Sequence, residues 1–94
     1  MKQEELDTIL KTLELKAPGE GGWRAAPEGV LLTFHLSRNG AGMSAPRVEA
    51  VRVDGTLVWT RTAKKELHVF SREDLVAVAT DGGASGPARR PGFG

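Results

Sequence analysis

Ninety-four residues fit one small domain, and a chain of that length buries roughly 64% of its extended surface, enough for one modest core. With 39% hydrophobic and 27% charged residues it has the composition of an ordinary globular domain, and the lack of cysteine excludes a disulfide scaffold, a thiol nucleophile and a cysteine-ligated metal centre. Thirteen basic against twelve acidic residues, net +1, is too balanced to imply nucleic acid by itself.

The charge is uneven along the chain. Residues 1–28 hold four basic and six acidic residues, whereas residues 29–94 hold nine basic and six acidic. That is either ordinary solvated charge or one basic face. The acidic, polar start at residues 1–7 does not read as a secretion signal, and no stretch is apolar for 18 residues. The expectation is a cytoplasmic protein that does not enter a membrane.

Residues 2–16 read as an amphipathic helix. Leu6, Ile9, Leu10 and Leu13 follow the i, i+3, i+4, i+7 spacing of one apolar stripe, and Glu4, Glu5 and Asp7 suit the positive end of the helix dipole. Pro18 and Gly19 mark the stop. A helix this short needs something to dock on: the domain's own sheet, a partner helix or a second copy. Residues 17–29 are a Gly- and Pro-rich connector interrupted by Trp23, which either folds back as a lid on the core edge or offers a ligand platform.

Val30, Leu32, Phe34 and Leu36 alternate onto one face of a strand over residues 30–36. Residues 37–46 read as a long polar loop with Gly40, Gly42 and Pro46. Residues 47–53 and 56–62 flank Asp54-Gly55, a strong hairpin signal. A turn on those two residues pairs Arg52 with Leu57, Val51 with Val58 and Ala50 with Trp59. One face of the hairpin then carries Val51, Val53 and Val58. The other carries Val48, Ala50, Leu57, Trp59, Arg52 and Arg61, with Trp59 diagonal to Arg52. A charged turn at 63–66 leads to a short strand at 67–70. Ser71 can cap one helical turn, with Asp74 three residues on. Residues 75–80 are a strand or, as the rival reading, part of a helix running from residue 71. Residues 81–94, rich in Gly and Pro, read as a flexible tail. The expected organisation is a single domain over residues 1–80 followed by that tail.

The fold class is α+β: an N-terminal amphipathic helix packed on a small, bent antiparallel sheet or a partly closed five-stranded barrel. The order is similar to that of the Sm-like and SH3-like small barrels, which also have short strands, a tight hairpin (here residues 51–58) and a one-turn helix (here residues 71–74) before the last strand. The resemblance covers residues 2–80 as a pattern and matches no diagnostic motif. The long loop after Leu36 looks more like the SH3 arrangement than the Sm one, where the first two strands join tightly. The resemblance implies a small-barrel fold, and no site residue carries over from it.

No catalytic constellation emerges. His35 and His68 stand 33 positions apart without a second ligand at i+2 or i+4, so the sequence implies no metal site. Ser37, Ser44, Ser71 and Ser85 lie outside any G-x-S-x-G elbow, although Ser37 and His35 share a strand face. Gly40-Ala41-Gly42 is followed by Pro46 and a strand rather than by the helix a phosphate loop needs. Glu73 and Asp74 are neighbours without the defined spacing of an acid–base pair. The chain reads as a non-enzymatic binding or adaptor domain without a cofactor. Arg52, Trp59 and Arg61 are its candidate partner-binding residues. A Trp flanked by guanidinium groups suits a protein hot spot, a base-stacking surface for RNA or single-stranded nucleic acid, or inward structural packing. Another protein is the leading partner, nucleic acid the alternative, and a homo-oligomer a third arrangement.

Overall fold

A computed structural model of the chain describes residues 1–82. The tail expected over residues 81–94 lies, from residue 83 on, outside the described residues. Helix α1 spans Gln3–Thr12, followed by strands β1 Arg24–Ala25, β2 Val30–Arg38, β3 Ala41–Asp54, β4 Leu57–Thr62, β5 Leu67–Ser71 and β6 Leu75–Gly82. Single turns of 3-10 helix occupy Glu20–Gly22 and Arg72–Asp74. The strands form one antiparallel sheet in the order β5-β4-β3-β2-β6, with β1 beside the second half of β3. The sheet is not closed, because β5 and β6 do not pair.

The helix stripe docks on the domain's own sheet. Leu6 and Leu10 are fully buried, and Ile9 and Leu13 half-buried. Glu5 Oε1 accepts a hydrogen bond from the Lys2 N–H (3.0 Å) at the N-terminus. The helix ends four residues earlier than its sequence suggests. Glu14 N–H donates to Lys11 O (2.9 Å) and Leu15 N–H to Leu10 O (3.1 Å), the paired bonds of a Schellman motif. Leu15 then turns back into the core beside Leu10, so Pro18 and Gly19 lie beyond the real stop. Glu14 takes the left-handed position at φ 65°, which usually belongs to glycine, and sets its charge at the negative end of the helix dipole. Glu14→Gly is expected to raise stability by about 0.5–1 kcal/mol, seen as a higher urea midpoint at unchanged slope.

The alternation read in β2 holds, with Leu32, Phe34 and Leu36 buried. They meet Ala45, Val48 and Val51 of β3, Val58 of β4 and Leu75 of β6 in one cluster with the helix leucines. Phe70 closes it from β5, its ring 5.8 Å from that of Phe34. Thr60 and Thr62 are the buried polar residues among those described. Thr60 Oγ1 donates to His68 O (3.1 Å) and Thr62 Oγ1 accepts from Glu66 N–H (3.0 Å), so neither is left unpaired.

Residues 37–46 are not a long loop. β2 and β3 join through the two-residue turn Asn39-Gly40, both at positive φ (52° and 81°), as a type I′ hairpin requires. Gly42 and Pro46 lie within β3, and Pro46 is tolerated because the ladder shifts register there. Arg47, at φ 59°, takes up the extra residue in a bulge. A second register shift beside Glu49 turns Val48 to the inner face, opposite Thr62, and off the face of Ala50 and Trp59 that its spacing suggests.

The second hairpin also differs from its sequence reading. Its turn is Gly55-Thr56, one residue later than expected. The φ of Gly55 is 61° while that of Thr56 is not positive, the φ pattern of a type II′ turn, which wants glycine first. Arg52 therefore pairs with Trp59, Val51 with Thr60 and Ala50 with Arg61. Residues 75–80 are strand, and Ser71 caps the short turn before them, its Oγ accepting from Glu73 N–H (3.3 Å). Arg72 ties this turn to the rest of the molecule. Its Nε donates to Met1 O (3.1 Å), its guanidinium also donates to Gly55 O, and its own carbonyl accepts from the Met1 ammonium (2.8 Å).

Candidate functional site

The outer face of β3, β4 and β5 gathers the three candidate residues, but not as one group. Arg52 and Trp59 are cross-strand partners, with the guanidinium carbon 5.3 Å from the indole centroid. Arg61 turns the other way and lies over Trp23, at 5.1 Å. Ala25 and Ala50 are paired, and Arg61 is opposite Ala50, so these two small side chains leave the span that Arg61 crosses. Trp23 follows two left-handed glycines, Gly21 and Gly22, and folds back onto the sheet. Continuing the β1–β3 register by one residue sets Trp23 beside Arg52. A row thus runs from Trp23, just before β1, across three strands through Arg52, Trp59 and Val69.

Each of these cations already has an anion. Arg52 Nη2 lies 3.4 Å from Asp54 Oδ2. Arg61 Nε donates to Glu49 Oε2 (3.2 Å), which also accepts from Lys65 Nζ (2.7 Å). The Lys65 hydrogen bond, more than the Arg61 one, holds the Glu49 carboxyl below its ordinary value of 4.5, against a desolvation that raises it. A depressed carboxyl stabilises the fold above its unfolded value and loses that contribution as pH falls through the folded one. The stability difference between the wild type and Glu49→Gln is therefore expected to be present above pH 4.5 and to shrink below it. Urea titrations at stepped pH measure it, and a constant difference would remove Glu49 as the clamp between β3 and the β4–β5 turn.

Trp59 has apolar neighbours on β5 that the sequence did not reveal. The β4–β5 register pairs Trp59 with Val69, Arg61 with Leu67, and Leu57 with Ser71, so all share the outer face. Leu67 is 54% exposed, Val69 43% and Leu57 41%, and together they flank the half-buried Trp59. The Trp59 Nε1–H is buried and has no hydrogen-bond partner among the described residues. What the ring offers a ligand is apolar surface, not a donor.

Among the described residues, which leave out Ser85, the Ser37–His35 pair suggested by the sequence does not form. Ser44, not Ser37, approaches His35, with Oγ 3.3 Å from Nδ1 across the β2–β3 pair, and both are surface residues with no carboxylate bonded to the ring. His68 has Glu66 at 3.7 Å on its own strand edge. Among the described residues no three His, Asp or Glu side chains are grouped to hold a metal, and no helix is long and apolar enough to cross a membrane. A cavity of about 220 Å³ opens at the unclosed seam of the sheet, between Leu36 and Met43 on one side and Val69 and Phe70 on the other.

The fold and this face define a small α+β domain with an open antiparallel sheet and an aromatic, cation-stacked outer surface. No protein-family model, no curated protein and no solved structure matches the chain.

Proposed function

We propose that the protein is a non-enzymatic recognition module that binds another protein through the outer face of β3, β4 and β5. One observation carries this reading: Trp59 stands at the centre of a cross-strand block with the exposed Leu57, Leu67 and Val69, and Arg52 stacks along its edge. Trp and Arg are the residues in which binding energy concentrates at protein interfaces, and an apolar centre with a charged rim is the usual anatomy of such a site.

The same face is a poor fit to nucleic acid. A base-stacking surface needs free aromatic faces and unneutralised cations. Here the guanidinium groups lie over the two indoles, and the carboxylates of Asp54 and Glu49 take up their charge. Of the two small-barrel likenesses the Sm-like one belongs to the same proposal, because the long SH3-type loop expected after Leu36 is a tight join. It is supported by the tight Asn39-Gly40 join between β2 and β3 and by the one-turn helix before β6.

A random-peptide display library panned on the immobilised wild-type domain, in parallel with Trp59→Ala, tests the reading. Peptides enriched on the wild type and rejected by the variant, with an apolar residue in common, are the expected result. Enrichment indifferent to Trp59, or no enrichment over an unrelated domain, would overturn it.

A further inference from the structure

The geometry points to a second copy of this chain as the occupant of the free edge of β5, in an antiparallel, two-fold pairing centred on Val69. This goes beyond the recognition role of the Trp59 face and does not depend on it.

Hydrogen-bond parity fixes which backbone groups of β5 are free. At one end of the β4–β5 ladder Thr62 N–H donates to Glu66 O (2.9 Å), and at the other Arg72 N–H donates to Thr56 O (2.7 Å). Backbone groups alternate sides along a strand, so the even-numbered residues of β5 bond β4. Leu67 and Val69 therefore turn their N–H and C=O groups, and Ser71 its N–H, to the free edge, which has no neighbour among the described residues, while the Ser71 carbonyl serves the 3-10 turn that follows. A two-fold axis through Val69 pairs Val69 with its own copy and Leu67 with Ser71 of the other. All three are then bonding positions, and the free groups of both edges are satisfied at once.

Side-chain chemistry selects the same arrangement. Natural edge strands are commonly guarded by a charge or a proline, yet Leu67–Ser71 contains no Asp, Glu, Lys, Arg or Pro and exposes Leu67 and Val69. Charges flank it instead, basic on one side at Lys64 and Lys65, acidic on the other at Glu73 and Asp74. The antiparallel pairing about Val69 brings the turn that carries Lys64 and Lys65 in each copy toward the 3-10 turn that carries Glu73 and Asp74 in the other. A parallel pairing would set lysine beside lysine and acid beside acid. The pattern is self-complementary only for the antiparallel dimer. In it the two outer faces become continuous, and two Trp59 blocks lie side by side. A single five-residue strand is a small interface, so the dimer should dissociate in the micromolar range or weaker.

Lys64 and Glu73 are exposed and make no ion pair among the described residues, so each can be reversed without breaking a salt bridge within the monomer. Sedimentation velocity of the full chain from micromolar to millimolar concentration is the test. The wild type should shift from monomer to dimer. Lys64→Glu alone and Glu73→Lys alone should each weaken the dimer about five- to tenfold, since the two-fold axis counts every reversal twice. Mixing the two variants should recover part of the dimerisation, because one end of the heterodimer keeps wild-type charges on both turns, which neither variant's own dimer does. A monomer at every concentration, a species larger than a dimer, or a dimer indifferent to both reversals and to their mixing would overturn the proposal.

Discussion

Leu10→Ala is expected to cost about 2–5 kcal/mol of folding free energy, a large part of the roughly 5–15 kcal/mol that holds a small domain together. Leu10 is fully buried, packs with Leu6 and Leu15 against the inner face of the sheet, and lends its carbonyl to the bond that ends the helix. Removing its side chain leaves a cavity where helix, sheet and chain reversal meet. Thermal unfolding should show the midpoint falling by about 10 °C or more. Thr8→Ala, on the exposed side of the same helix, should change it little. Equal, small effects of both variants would mean that the apolar stripe of α1 is not core and is free for a partner.

Trp59→Ala is the second large effect, and it should fall on binding rather than on folding. Trp59 sits on the outer face, while the pairing that holds β4 in place rests on Val58, Thr60 and Thr62, which point inward. Truncation should cost a peptide selected on the wild type about 2 kcal/mol or more, roughly thirtyfold in affinity, with a cooperative unfolding transition retained. Trp59→Phe separates the ring from its polar atom. It keeps an aromatic surface for Arg52 and removes a buried N–H that has no partner, so stability should be equal or higher. If Trp59→Ala cannot fold at all, the ring is structural, and the recognition face loses its centre.

The parts of the fold legible in the sequence are those set by short-range pattern. The α1 stripe, the alternation in β2, the hairpin after β3, the strand after residue 75 and the Ser71 cap all rest on spacings within about eight residues. The missed features depend on something longer-range or on a competing local signal. Asn39-Gly40 is itself a hairpin signal, but Gly42 and Pro46 imitate a loop until the bulge at Arg47 shows how a strand accommodates them. Asp54-Gly55 and Gly55-Thr56 are both acceptable turns. Choosing between them needs the register of β4 against the core, and the one-residue difference moves Trp59 from diagonal to directly opposite Arg52.

The site was legible to a lesser degree. Arg52, Trp59 and Arg61 do share one face, as the alternation implied. The contact between Arg61 and Trp23 joins residues 38 positions apart through a two-residue strand that carries no pattern of its own. The apolar flank of Leu67 and Val69 follows from how the turn between β4 and β5 is wound. Lys65 there adopts a left-handed conformation (φ 69°), which no turn-former in the sequence announces.

The proposed role of this face is to recognise protein, its cations being already stacked and paired. Parallel fluorescence-anisotropy titrations of a display-selected peptide and of a labelled single-stranded RNA, each at about 50 and 200 mM salt, test it most directly. The account predicts peptide binding that changes little with salt and is lost in Trp59→Ala, and no binding of the RNA. Micromolar RNA binding that collapses at the higher salt, with a slope flattened by Arg52→Ala and Arg61→Ala together, would contradict it and make the same face a nucleic-acid surface.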